Sequence, residues 1–249
     1  MRFLAILVLW TLSFCLAIGL DLSPFLRGPA PYSPDWRWEY YFVNTLDKLS
    51  MPLILTCLIF AFFIFVEKRN GFAEKHTKLF LSMLVLVSFL FQMSVLFFSR
   101  AGIGVLLHRI INPELNGYFT TALQITNTAE FLRTFNDGVL GFAMHAQGHP
   151  PGAILFFSGM LAFFSWFPEL GNIASSLSPA HGDVQAVWHM LSQTERVAAI
   201  FSGFFIPFLS TLALVPLYYC VRLLSAEKVA IRSVFLYVFI PSVVLFIPI

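Results

Sequence analysis

The sequence predicts an all-α, polytopic integral membrane protein with about five to six transmembrane helices, extracytoplasmic loops and juxtamembrane helices. Three observations carry that expectation. The chain is 58% hydrophobic and only 11% charged, with a mean hydropathy of +0.81; a soluble domain is roughly a quarter charged. Its 30 Phe residues exceed what a soluble chain of 249 residues readily buries. Several apolar runs approach the ~20 residues that a helix needs to cross a bilayer, and no stretch alternates with period 2 for long enough to build a barrel. The net charge of +2 is small and spread out. It offers no basic patch interleaved with aromatics, so nucleic acid is not an expected partner.

The first run covers residues 3–20. Arg2 precedes it, and its end, CLAIGLDLS, is a poor small-residue cleavage site. It therefore reads as a retained signal-anchor helix. Asp47 precedes the second run, 49–66. The third, 79–98, has Gln92 as its strongly polar side chain. A weaker fourth run covers 153–167, a fifth 197–221 and a last 229–249. The last stops inside FLYVFIPSVVLFIPI without a flanking charge. A final span usually leaves a polar tail, so the expectation is one membrane domain over 1–249 that is the N-terminal part of something longer. Its outer loops are 21–50 and 99–152.

Cations in short loops set the orientation. Lys68, Arg69, Lys75 and Lys78 fall within residues 67–78. That loop is expected in the cytoplasm, and with it the N-terminus of a protein of the cell membrane. Residues 222–232, RLLSAEKVAIR, hold three cations and also read as cytoplasmic, while 168–194 contain no Lys or Arg. The two assignments agree only if 153–167 does not cross. This run is expected to enter from the outer face as a re-entrant or membrane-surface helix, which is tolerated where protein buries irregular backbone. Cys15, Cys57 and Cys220 all lie in apolar runs, so no disulfide is expected to staple an outer loop.

The loop LRGPAPYSPDWRWEYYF, residues 26–42, is stiffened by Pro29, Pro31 and Pro34. Trp36, Trp38, Tyr40 and Tyr41 suit an interfacial aromatic belt. They equally suit a sugar platform, with Asp35 and Glu39 binding hydroxyls. Arg100 and Arg109 follow the third run. They either snorkel to headgroups or supply guanidinium forks to a lipid phosphate.

Residues 112–152, NPELNGYFTTALQITNTAEFLRTFNDGVLGFAMHAQGHPPG, form a polar island in this apolar chain. Glu114 precedes the turn dipeptide Asn116-Gly117. Thr128 is a plausible N-cap of a short helix, with Glu130 in its first turn and Arg133 placed to pair with it at i,i+3. His145 and His149 have a zinc-compatible spacing. However, Pro150 and Pro151 disfavour helix there, and apart from the distant His108 or Asp137 there is no third ligand. No metal site is assigned. No acid lies within the second, third or fifth run, which weighs against an ion-coupled transporter.

An acidic turn, a tyrosine, a short helix and then HPP at the entry of an apolar helix resemble the first extracytoplasmic loop of GT-C glycosyltransferases. That superfamily includes protein O-mannosyltransferases and lipid A aminoarabinose transferases. Their loop has an acidic pair, a nearby Tyr and a downstream (H/K)PPL. The corresponding pieces here are Glu114, Tyr118 and His149-Pro150-Pro151, with Gly152 in the Leu place. Residues 194–246 resemble the next two helices, with Arg196 opening the first, a cationic turn dividing them and Pro241-Ser242 in the second. The resemblance covers roughly residues 109–249. It departs from the pattern where the acidic pair is reduced to Glu114, since Leu115 follows and Asn116 is not an acid.

The resemblance implies transfer of a sugar from a polyprenyl-phosphate donor to an acceptor outside the membrane. Membrane lipid and that donor are the implied partners, and no cofactor is implied. Glu114 would act as general base, Tyr118 and His149 would contact substrate, and basic residues would hold the lipid phosphate. Arg196 would be a phosphate or loop anchor. A non-catalytic polytopic protein, such as a transporter piece or assembly subunit, is the alternative class. A polymer ligase of the envelope is a third.

Overall fold

A computed structural model describes residues 46–69, 71–96, 104–174 and 182–240, with isolated positions 13, 17, 22 and 102. The chain divides into Met1–Thr45 and Leu46–Ile249, and every helix below belongs to the second unit. The expected aromatic loop with Asp35 and Trp36 lies outside the described residues, as does Arg100. So does almost all of the expected first span.

Every regular element among the described residues is helical. In order they are α1 (Leu46–Lys68), α2 (Phe72–Lys75), α3 (Thr77–Leu96), α4 (Gly104–Ile111), α5 (Tyr118–Ala122), α6 (Thr128–Gly138), α7 (Met144–Gln147), α8 (Gly152–Ser165), α9 (Gly171–Ala174), α10 (Gly182–Met190), α11 (Gln193–Leu212), α12 (Leu214–Leu224) and α13 (Glu227–Val238). Three of the described stretches are long and apolar enough to cross a membrane: Ser50–Lys68, Thr77–Leu96 and Gln193–Leu224. The last joins α11 to α12. These helices carry apolar side chains all round. On α1, Leu55, Ile59 and Val66 are buried while Met51, Ile54, Leu58 and Ile64 face outward. That is the pattern of a helix whose solvent is hydrocarbon rather than water.

The remaining expected spans fare differently. α8 has 14 residues, about 21 Å of helix against the ~30 Å of a hydrocarbon core. α13 has 12 residues, and the rest of the run 229–249 is described only to Ile240.

Two cores form along the α11–α12 rod. One gathers α1, α3, α12 and α13 around Ile59, Phe80, Leu84, Leu214, Tyr218 and Val234. The other gathers α4, α5, α8 and α10 around the N-terminal half of α11, with Ile110, Phe119, Ile154, Phe157, Trp188 and Val197 inside. Contacts fix the level of each helix. Phe80 meets Tyr218 edge-on at 5.8 Å, Phe89 meets Phe208 at 5.7 Å, and Gln92 Nε2 donates to Ser210 Oγ at 3.3 Å. Beyond Gln92, α3 is described to Leu96, about 6 Å of rise. From Ser210 back to Gln193, α11 continues for about 25 Å. The rod therefore overhangs α3, and the second core is built on the overhang.

The two cation-rich loops meet at the opposite end. Arg222 Nη2 pairs with Glu74 Oε1 at 3.1 Å, and Arg232 reaches both carboxylate oxygens of Glu67 at 3.0 and 3.2 Å. Such exposed pairs fix register more than they add stability. The chain leaves this end along α3 and returns to it along α11–α12, so the segment between Leu96 and Gln193 starts and finishes at the far end. A single helix crossing within it would break that parity. α8 instead lies against the overhang, with Phe164 at 4.8 Å from Phe201 and Phe156 at 6.2 Å from Phe205.

Cysteine labelling tests this arrangement. With Cys15, Cys57 and Cys220 replaced, Gln147→Cys and Glu169→Cys, which flank α8, should react with an impermeant reagent from the same side. Ser225→Cys should react only from the other. Labelling of Glu169→Cys together with Ser225→Cys would show that α8 crosses.

Candidate functional site

The site begins where α4 ends. Ile111 is fully buried, and the next residues, Asn112–Gly117, must reverse the chain without burying unpaired backbone. Two buried asparagines do this. Asn112 Oδ1 accepts from Glu114 N at 2.9 Å, an Asx-type closure of the turn. Its Nδ2 lies 3.4 Å from His108 Nε2. Asn116 Nδ2 donates to the Arg109 carbonyl at 2.7 Å, and its Oδ1 accepts from Tyr118 N at 3.3 Å. Gly117 has φ +67°, and a Cβ there would collide with Ala143 Cβ. Only glycine combines that left-handed backbone with that approach. The result is a tightly held turn that presents Glu114, exposed, at its tip. The ion pairs among the described residues are those at the cation-rich end, so the Glu114 carboxylate has no salt-bridge partner there.

α5 then carries Tyr118 and Phe119. Phe119 anchors it by packing edge-on against Phe157 of α8 at 5.7 Å. Tyr118 is half-buried and meets the His149 ring edge-on at 6.0 Å. His149 is exposed and directly precedes Pro150; Pro151 stands at the N-cap of α8. Burial pushes the Tyr118 phenol above the ordinary tyrosine range, so it acts as a neutral donor and acceptor rather than a base. Arg109 is half-buried on α4. Desolvation draws its pKa down from the usual guanidinium value, but from so high a starting point that the cation persists at neutral pH.

The residues expected at the site are thus partly brought together. Tyr118 meets His149, Glu114 stands on the adjoining turn, and Asn116 ties that turn to the backbone carbonyl of Arg109. Arg196 is engaged elsewhere. Its Nε donates to the Trp188 carbonyl at 3.0 Å and its Nη2 to the His189 carbonyl at 3.1 Å. Its guanidinium also lies 5.6 Å from the centre of the Trp188 ring. A cation at the last carbonyls of α10 is stabilising, and of the two roles considered for Arg196 it fills that of loop anchor. The neighbouring capping box of Ser192 and Glu195 starts α11.

Two local expectations are corrected. The N-cap of α6 is Asn127, whose Oδ1 accepts from Ala129 N and Glu130 N at 3.0 and 3.1 Å; Thr128 is the first helical residue. Glu130 and Arg133 form no ion pair among the described residues. Both are exposed, and water competes well for such a pair. The side chain of His145 is outside the described residues, and no group of three His, Cys, Asp or Glu among those described could hold a metal.

The sequence reading passed over an open groove of about 250 Å³ between α5 and α6, lined by Thr121, Gln124, Thr126, Glu130, Phe131 and Phe142 among others. The available signal was the density of Thr, Gln and Asn in TTALQITNT beside three phenylalanines. Phe131, Phe135 and Phe142 form a closed ring cluster, with centroids 5.6–5.9 Å apart.

No family description, curated protein or solved structure matches this chain.

Gly117→Ala adds left-handed strain of about 1–2 kcal/mol to a clash in a packed position worth about 1–3 kcal/mol. Asn116→Ala strands the Arg109 carbonyl, at about 1–3 kcal/mol. Both should lower the thermal unfolding midpoint of the solubilised protein by several degrees. An unchanged midpoint for Gly117→Ala would refute the account of the turn.

Proposed function

We propose that the chain is a membrane glycosyltransferase of GT-C type. It moves a sugar from a polyprenyl-phosphate donor to an acceptor on the extracytoplasmic side of the membrane. One observation carries the reading: the Glu114 carboxylate, exposed and without an ion-pair partner among the described residues, is held on the same turn that delivers Tyr118 to His149 at the mouth of α8. This corner belongs to the overhang core; the reading requires it to lie at the membrane surface, where a lipid-borne phosphate meets water.

The chemistry follows from the groups present. Glu114 accepts the proton of the acceptor nucleophile as its electron pair attacks the anomeric carbon. The bond from that carbon to the phosphate oxygen breaks, and the lipid phosphate leaves with the electrons. Arg109, whose backbone carbonyl the turn holds, is the cation we assign to that phosphate, since a guanidinium matches its oxygens in bidentate fashion. Tyr118, neutral and half-buried, donates a hydrogen bond to substrate, and His149 borders the same space. Arg196 holds α10 against the overhang. Asp35 and Trp36 retain their proposed part in a sugar platform on the first outer loop. The polyprenyl tail is accommodated in the lipid beside the apolar helices.

The non-catalytic reading draws on Asn116, which occupies the place nearest Tyr118 where a second acid would complete the pair. Membranes that give no transfer with any labelled polyprenyl-phosphate sugar would favour it.

Glu114→Gln should reduce transfer from a labelled polyprenyl-phosphate sugar by about 10²–10⁴-fold, the usual worth of a positioned base. Protein level and unfolding midpoint should be unchanged, because this carboxylate is exposed and forms no hydrogen bond or ion pair among the described residues. Unaltered transfer would remove Glu114 from the mechanism.

A further inference from the structure

We infer that the groove between α5 and α6 binds one neutral, hydroxyl-rich sugar unit of the acceptor. The inference rests on the glycosyl-transfer reading of the same corner and adds to it the class of the acceptor.

Size limits the ligand first. The groove's volume of about 250 Å³ falls just short of the ~300–1,000 Å³ of sites for drug-sized ligands. It takes a ring-sized unit and not an extended chain. Charge limits it next. Its lining contains no Lys, Arg or His, so a phosphate or carboxylate ligand finds no counter-ion. The lining also argues against an acyl or prenyl tail, since Thr121, Gln124, Thr126, Asn127, Glu130 and Thr134 are polar and only Ile125, Phe131 and Phe142 are not.

The bonding capacity of these groups is unevenly used. Thr121 Oγ1 donates to the Gly117 carbonyl at 2.8 Å, Thr134 Oγ1 to the Glu130 carbonyl at 3.0 Å, and Asn127 Oδ1 caps α6. Among the described residues the Gln124 amide, the Thr126 hydroxyl and the Glu130 carboxylate have no side-chain partner and remain for a ligand. A carboxylate, an amide and a hydroxyl around one concavity suit adjacent sugar hydroxyls, which both donate and accept. Phe131 and Phe142 offer apolar faces for the C–H side of a pyranose ring, and the third ring, Phe135, holds them in place.

The groove's wall is joined to the turn that carries the proposed base. Thr121 in its wall and Tyr118 beside His149 are three residues apart on α5, about 4.5 Å along the helix axis. The Thr121 hydroxyl bonds to Gly117, the last residue of the turn that carries Glu114.

The test uses the full chain in lipid nanodiscs, with methyl glycosides of glucose, mannose, galactose and N-acetylglucosamine as probes. Binding is read by saturation-transfer NMR at millimolar concentrations. At least one probe should bind. Glu130→Ala and Gln124→Ala should each weaken it about tenfold, whereas Arg133→Ala, on the same helix but outside the groove, should leave it unchanged. Absence of binding by every probe, or wild-type binding by both groove variants, would overturn the inference. Transfer from labelled polyprenyl-phosphate sugars, measured on the same samples, separates the two readings. Groove-dependent binding without transfer keeps the groove and removes the catalysis. Transfer whose acceptor KM is unmoved by Glu130→Ala keeps the catalysis and removes the groove.

Discussion

The overhang half of the molecule depends on the close approach of α4 to α11 at Gly203. A Cβ on Gly203 would stand 3.2 Å from Ile110 Cδ1 and 3.5 Å from Leu106 Cβ. Ala199, Gly203 and Pro207 are buried at i,i+4 spacing along α11, so a stripe of small or flat residues faces the partner helices, as at membrane-helix contacts. Pro207 also lacks the N–H that would bond the Gly203 carbonyl. The backbone is thus both uncovered and locally released where α4 crosses it. Because α4 is set there, Ile111 ends in the core, and the Asn112–Gly117 turn has one place to go.

The two cores divide the work between them. The core around α3, α12 and α13 holds long helices together through phenylalanine contacts such as Phe63 on Phe235 and Phe60 on Phe239. The core on the overhang contains short helices and tight turns. α11 belongs to both. Its C-terminal half lines α3 while its N-terminal half supports α4, α8 and α9. The turn that carries Glu114 and the short helices around it pack on the N-terminal half of α11.

The long helices were legible in the sequence because a helix that is apolar all round reveals itself by composition. The runs 49–66, 79–98 and 197–221 lie within Leu46–Lys68, Thr77–Leu96 and the α11–α12 rod to within two residues. The run 153–167 also matched Gly152–Ser165 closely, yet its own residues do not say how it lies. Its packing against α11 is seen only in the structure. At the site, Glu114, Tyr118 and His149 stood out because polarity is conspicuous in so apolar a chain. Asn116 is legible only as half of the turn dipeptide Asn116-Gly117; its fold role also needs the amide N–H that reaches the Arg109 carbonyl, a donor that aspartate lacks. Asn127 and Thr128 are both competent N-caps, and only the backbone at Asn127 (φ −138°, ψ 108°) decides between them. The groove was illegible because Phe142 reaches Phe131 across a turn that periodicity does not reveal.

The ion pairs at the cation-rich end impose an order of assembly. Glu74 meets Arg222 across 148 positions and Glu67 meets Arg232 across 165. At roughly 5–20 residues per second of synthesis, the two acids emerge on the order of ten seconds before their partners. The hairpin of α1 and α3 therefore takes up its place with those carboxylates still in water, and it is closed only when α12 and α13 arrive. Contacts so distant in sequence are also costly to close early. The pairs act as a late latch on a hairpin already in place, and they engage only if the later helices have come in at the right depth.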